Sequence, residues 1–268
     1  MKKLVVAIDP GFDGAKIVIN KQTYHIPFVV EDITSVVSNF PVARSDKKFI
    51  RCEMKEKIYL VGEYARKSMQ EAEHQENARA EMDTFYTIGR FGTTLFEVGL
   101  NAFLGYALYK YQEDTEDTSG EERFTIDNMS EWEIHVGVAL PHQHQDELWT
   151  EHVKGYLTAH HEFKLYIGSE NVIEFNFKLD EKNCVYNSQA VCALIDAVTD
   201  DSGKMMEENK TIFDYLPALI LDGGYKTLGK FKLSRDGRMD KAESNSTFAM
   251  NNINEAVAAD VRKKVPNM

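Results

Sequence analysis

The chain has 268 residues, with 31 basic against 43 acidic side chains and a net charge of −12 at neutral pH, a balance that repels a polyanion and argues against direct binding of nucleic acid. Hydrophobic residues make up 43% and charged residues 28%, enough for a packed core, and no apolar run reaches the ~18 residues that would span a bilayer, so fibrous and membrane-spanning readings are excluded. The apolar run at residues 4–8 is too short, and too soon ended by Asp9, for a signal peptide, and Cys52, Cys184 and Cys192 are widely spaced with no CxxC pair, so a cytoplasmic protein with reduced thiols is expected.

In chain order, residues 4–8 form an apolar run, Asp9-Pro10-Gly11-Phe12-Asp13-Gly14 a turn, and residues 15–19 a second run. This pattern predicts a β-hairpin with an acidic, glycine-bearing tip. Residues 21–62 read as short strands, clearest at 24–30 and 58–62, and predict a small appended subdomain. Residues 63–81 are rich in Ala, Glu, Gln, Lys and Arg, all good helix or solvent-facing residues, and Ile88, Phe91, Leu95, Val98 and Leu108 within 84–111 are spaced as in one or two core helices. The acidic stretch 112–123 has no large apolar side chain and predicts a solvated loop.

A buried strand at 133–140 is stopped by Pro141. A helix over about 145–160 follows, then alternating runs at 165–167 and 173–179 that predict strands. Asn187 and Ser188 suit the cap of a helix from Gln189 through Val198. Residues 218–222, the turn Gly223-Gly224-Tyr225-Lys226-Thr227 and residues 228–233 form a second hairpin that echoes the first. Residues 244–248 read as strand or turn, and a helix over 251–264 is expected, capped by Asn251 or Asn252 and closed by Pro266.

Two hairpins, each an apolar strand ending in Asp and followed by a glycine-containing tip, suit a grip on phosphates from two sides. Backbone N–H groups at glycine turns donate to phosphate oxygens, and a carboxylate at a strand end can hold a hydrated Mg²⁺. The pair resembles the two phosphate motifs of the actin and sugar kinase superfamily, and within it the bacterial plasmid-segregation actins of the ParM and Alp type. The resemblance rests on Ile8-Asp9-Pro10-Gly11-Phe12-Asp13-Gly14-Ala15-Lys16 and on Leu221-Asp222-Gly223-Gly224-Tyr225-Lys226-Thr227. Val136-Gly137-Val138-Ala139-Leu140-Pro141 and Ser188-Gln189-Ala190-Val191 stand between them in the family's order.

The resemblance implies an α/β protein of the actin-like ATPase, ribonuclease H-like fold, with two α/β domains flanking a nucleotide cleft. Domain I would cover residues 1–187, with an inserted subdomain at about 21–80, and 188–268 would open a domain II that is incomplete. It also implies ATP and Mg²⁺ as cofactors, Asp9 and Asp222 as the residues holding the metal and its waters, and Gln189 as the residue orienting the attacking water. Gly11, Phe12, Asp13 and Gly14 would line the phosphates on one side, with Lys16 reaching the β-phosphate, and Gly223, Gly224, Tyr225, Lys226 and Thr227 on the other. On the residues alone, Lys16 also reads as a solvent-facing strand position, and Gln189 as an ordinary first helical residue.

The function implied is a filament-forming ATPase that segregates or positions plasmid DNA, with itself as polymer partner and a basic DNA-binding adaptor protein in place of direct nucleic acid or membrane contact. A non-catalytic actin-like interaction protein is the alternative, because the chain ends before the late glycine-rich turn on which this superfamily packs adenine. A small-molecule kinase is a third reading, for which no carboxylate base can be identified. His142, His144, His152, His160 and His161 fall within a short polar stretch with no HExxH or cysteine partner and read as surface side chains rather than a zinc site.

Overall fold

The structure is a computed structural model that describes residues 2–11, 14–36, 46–71, 88–115, 123–140, 147–168, 171–200, 202–209, 217–223, 228–235, 239–245 and 250–264. The chain divides into two compact units, Met1–Ala139 with Glu147–Tyr186, and Leu140–Asp146 with Asn187–Met268.

The first unit is built on two five-stranded sheets. In the first sheet, β1 (Lys2–Pro10), β2 (Ala15–Ile19) and β3 (Gln22–Ile26) form an antiparallel meander. The second sheet begins with β4 (Val30–Asp32), β5 (Ile50–Met54) and β6 (Lys57–Val61). Strand β7 (Trp132–Leu140) then returns to the first sheet and pairs in parallel with β1. Strands β8 (His160–Ile167) and β9 (Asn171–Lys178) complete the second sheet in the order β4-β6-β5-β8-β9, with antiparallel pairing throughout. With β10 (Cys184–Ser188) the first sheet has the order β10-β7-β1-β2-β3.

Alternation explains how the first sheet packs. Leu4, Val6, Ile8, Ala15, Ile17 and Ile19 are buried on one face, while Val5 and Val18 between them are exposed. Two-residue turns at Asn20-Lys21 (φ 43° and 81°) and Lys55-Glu56 (φ 53° and 61°) join β2 to β3 and β5 to β6. Positive φ at both central positions gives the turn twist that matches paired strands.

The short helix α1 (Glu63–Glu71) follows β6, and its Ala65 and Met69 pack with Val29, Ile33, Phe49 and Leu60. The long helix α2 (Thr94–Asp114) is apolar around most of its circumference, because it touches β2 and β3 of one sheet and β4, β5 and β8 of the other. Thr93 caps it by accepting from the Phe96 N–H at 3.2 Å. Phe96, Leu100, Phe103, Leu104 and Leu108 are fully buried along it, each contributing roughly 1.5–3 kcal/mol relative to exposure. At Gly105 a Cβ would stand 2.9 Å from Leu165 and Phe175 and 3.0 Å from Phe163, so this helix approaches β8 and β9 as closely as it does because the side chain is missing. Helix α3 (Glu147–Thr158) completes the unit.

The second unit contains helix α4 (Gln189–Val198), the antiparallel meander β11 (Ala218–Gly223), β12 (Leu228–Leu233) and β13 (Met239–Asn245), and helix α5 (Met250–Lys264). Ser188 caps α4 as the sequence predicts, accepting from the Val191 N–H at 3.1 Å.

Several expectations need correction. The extended stretch 24–30 is divided, its first part lying in β3 of the first sheet and Val30 opening β4 of the second. Gln112, Glu113 and Asp114 belong to the last turn of α2 rather than to the acidic loop, and residues 116–122 lie outside the described residues. Asn251 and Asn252 are inside α5, not its cap; of the stretch 244–248, read as strand or turn, Ser244 and Asn245 end the longer strand β13 and residues 246–248 lie outside the described residues. His161 is buried, only 3% exposed: it reaches the Asn101 carboxamide and the Leu157 carbonyl and stacks on Phe177. His142, His144, Pro141 and residues 72–87 lie outside the described residues.

Candidate phosphate-binding hairpins

The two hairpins share one plan. In the first, the paired positions run Ile8 with Ile17, Asp9 with Lys16 and Pro10 with Ala15, leaving residues 11–14 as the tip. In the second they run Leu221 with Lys230, Asp222 with Gly229 and Gly223 with Leu228, leaving residues 224–227 to connect the strands. Each Asp is thus the last but one paired residue of its strand. The residue opposite differs: a lysine faces Asp9 and a glycine faces Asp222.

Asp9 alternates with Val5 and Ala7 on the outward face of β1 and is half-buried. Lys16 stands opposite it on β2, exposed, and His25 stands opposite Lys16 on β3, also exposed. The three side chains form a row across the sheet beside the tip. The carboxyl end of β1 is also where ligands meet parallel strands in α/β sheets. A cavity of about 540 Å³, lined in part by Trp132, Lys178, Asp180 and Asn183, lies by the other end of β1, where Lys2 pairs with Trp132, and so is not part of this arrangement.

Packing alone calls for glycine at position 14, and leaves little room for a side chain at position 11. A Cβ on Gly14 would lie 2.6 Å from His25 Nε2 and 2.8 Å from the Ile26 carbonyl oxygen, and one on Gly11 would lie 3.0 Å from the Gly14 carbonyl oxygen. Gly14 therefore lies close against β3. At Gly223 nothing lies within 4 Å of an added Cβ, so no such crowding applies there.

Sequence reading missed Arg90. It sits in the 3-10 turn Ile88–Gly92, is 1% exposed, and its guanidinium donates to the Pro10 carbonyl and, at 3.3 Å, to the Gly11 carbonyl. The rings of Phe91, Phe28 and Phe96 surround it at 4.8, 5.5 and 5.9 Å. The only sign of it in the sequence is a single charge inside the otherwise uncharged segment Ile88-Gly89-Arg90-Phe91-Gly92.

The remaining residues divide as follows. Gln189 is the first residue of α4, half-buried, one position after the Ser188 cap. Asp222 and Gly223 end β11. Phe12, Asp13, Gly224, Tyr225, Lys226 and Thr227 lie outside the described residues. Asp9, Lys16, Gly11 and Gly14 are thus brought together in the first unit, while Gln189, Asp222 and Gly223 belong to the second.

No protein-family model matches the sequence, and no curated protein matches it. Solved structures do. The filament structure of AlfA from B. subtilis plasmid pLS32 is 17% identical, with 99% of this chain and 80% of that chain covered at a TM-score of 0.60. The apo pSK41 ParM protein is 14% identical, with 100% and 74% covered at a TM-score of 0.65. The chain has the actin-like ATPase fold. An AlfA filament bound to AMPPNP also matches the actin-like chain, at 17% identity and a TM-score of 0.54, over 99% of this chain and 78% of that one.

The donor set of the first hairpin fits a hydrated Mg²⁺ and a phosphate chain. Asp9 offers hard carboxylate oxygens, and Lys16 a point charge on the same face. Among the described residues there is no cluster of three or more His, Cys, Asp or Glu that could hold a metal. Among those residues no helix is long and apolar enough to cross a membrane.

Proposed function

We propose that this chain is an actin-like ATPase that binds Mg·ATP through its two Asp-ended hairpins and assembles with copies of itself into a filament acting in plasmid DNA segregation or positioning. The observation that carries this reading is the shared plan of the hairpins, with Asp9 and Asp222 at equivalent positions of two strand pairs. It is supported by likeness to an AlfA filament and to AlfA bound to AMPPNP.

In this reading Asp9 and Asp222 orient the waters of the metal, and Lys16 reaches toward the β-phosphate from its exposed position. Gln189 orients the attacking water by hydrogen bonding alone, a task a neutral amide performs without acting as a strong base. Bound Mg²⁺ would supply charge neutralisation on the phosphate oxygens during in-line transfer. The net charge of −12 disfavours direct DNA contact, so the DNA is held by a basic adaptor protein, in the cytoplasm and away from membranes.

Sedimentation with Mg·ATP tests the filament, and its expected outcome is nucleotide-dependent pelleting. Calorimetry on the wild type and Asp222→Ala tests the site: the wild type releases heat with Mg·ATP and the variant less. Absence of both pelleting and binding heat would remove the proposal.

A further inference from the structure

We infer that Arg90 is the positioning residue of the first tip, fixing the Pro10–Gly11 peptide so that its N–H faces outward, and placing a permanent positive charge behind the turn that receives phosphate. The inference rests on the nucleotide-binding reading given above.

The geometry behind it is that of a planar trans peptide, in which carbonyl and N–H point in opposite directions. Arg90 draws the Pro10 carbonyl oxygen inward to its guanidinium, so the N–H of Gly11 in the same peptide is turned the other way. A second bond from the same guanidinium, at 3.3 Å to the Gly11 carbonyl, holds the next oxygen inward as well. The planar fork of arginine suits two adjacent acceptors, whereas the ammonium of lysine is a single point.

Fold stability alone does not ask for arginine here. The side chain is 1% exposed and lies among Phe28, Phe91 and Phe96, a setting in which an apolar side chain of similar volume is often as stable as a buried charge or more so. What an apolar side chain would not do is hold the two tip carbonyls. The anchor is also rigid: the Thr93 side chain and backbone bond to the Arg90 carbonyl, and Thr93 in turn caps α2. The tip is thereby tied to the helix between the two sheets. A buried charge is little screened by solvent, so its field reaches a phosphate on the far side of the turn more effectively than that of an exposed lysine.

The test uses the full chain and the variants Arg90→Met and Arg90→Lys, with thermal melting as the check on folding. Without nucleotide, amide hydrogen exchange of Gly11, Gly14 and Ala15 is expected to quicken in both variants while exchange within α2 stays as in the wild type. Unchanged exchange of the tip in a folded variant overturns the inference. With Mg·AMPPNP, affinity by calorimetry is expected to fall about 10- to 100-fold in Arg90→Met, the range for a lost charge-assisted bond, and by less in Arg90→Lys. A wild type that binds AMPPNP and variants that bind it equally well also overturn the inference. If the wild type binds no nucleotide but tip exchange quickens in the variants, the positioning role stands and the nucleotide reading fails. Should Arg90→Met not fold, Arg90→Lys decides both measurements.

Discussion

Asp9 and Lys16 are directly opposed across the β1–β2 pair, one step before the pair that closes the hairpin. Opposite charges in this relation contribute about 0.2–1 kcal/mol to a sheet, too little to explain the fold; in the proposed function both serve the nucleotide. Asp9→Asn and Lys16→Met are therefore expected to melt within a few degrees of the wild type. Their affinity for Mg·AMPPNP should fall about 10- to 100-fold, with the Mg²⁺ dependence weakened in Asp9→Asn and the salt dependence in Lys16→Met. Calorimetry across Mg²⁺ and salt concentrations reads both. Wild-type affinity in both variants would show that the first hairpin does not touch the nucleotide.

Gly14 offers a test of the tip that does not depend on any ligand. Its added Cβ would meet His25 Nε2 at 2.6 Å and the Ile26 carbonyl at 2.8 Å. The imidazole can move aside, but the strand backbone cannot. Gly14→Ala is expected to cost about 1–3 kcal/mol by overpacking, and adding His25→Ala should restore only part of it. Denaturant melts of the single and double variants decide; full recovery in the double variant would place the whole clash on the imidazole.

The hairpins could be read in the sequence because their signal is local: an alternating run, an Asp, a glycine-bearing turn and a second run occur within about twenty residues. The helix beginning at Gln189 was legible for the same reason, through the Ser188 cap. Arg90 was not, since its partners are the Pro10 and Gly11 carbonyls some 80 positions away, and a backbone acceptor leaves no trace in side-chain spacing. The division of residues 24–30 between two sheets escaped for a related reason. Strand character is written in the residues, but the choice of partner strand depends on β6 and on α2 packed between the sheets. His161 looked polar beside His160 until α2 brought Asn101 against it.

Glu113, near the end of α2, supports the first unit in a pH-dependent way. Partial burial works against its charge, but hydrogen bonds from Lys110, Lys47 and Tyr109 outweigh that and bring its pKa from 4.5 to about 2. The three donors lie at 2.8, 2.7 and 2.6 Å. A carboxylate with a depressed folded-state pKa stabilises fully above its unfolded value and loses that contribution as pH falls from about 4.5 toward 2. Glu113→Gln is expected to lower stability at neutral pH by no more than about 1 kcal/mol, since the group is partly solvated and screened. Its stability should also vary less with pH over the acid window. Parallel acid titrations of wild type and variant by circular dichroism would show superimposable slopes if the cluster is energetically silent.

His161 acts in the same direction at higher pH. Burial pushes its pKa below the ordinary 6.5, against the opposing influence of the Leu157 carbonyl and Glu97, and with a small further push from His160. Nε2 lies 2.7 Å from the Leu157 carbonyl and Nδ1 2.5 Å from the Asn101 carboxamide, while Phe177 stacks on the ring at 4.6 Å. The unfolded chain takes up the proton near pH 6.5 and the folded chain only at lower pH. Stability is therefore complete above about 6.5 and declines as pH falls from there toward the folded-state value. His161→Gln should cost about 1–3 kcal/mol at pH 7.5 by leaving buried polar groups unpaired, and the decline in stability below pH 6.5 should be shallower than in the wild type. Urea melts at half-unit intervals from pH 7.5 to 5 provide the comparison. Equal slopes in the two proteins would mean that this imidazole is not the group whose protonation destabilises the fold.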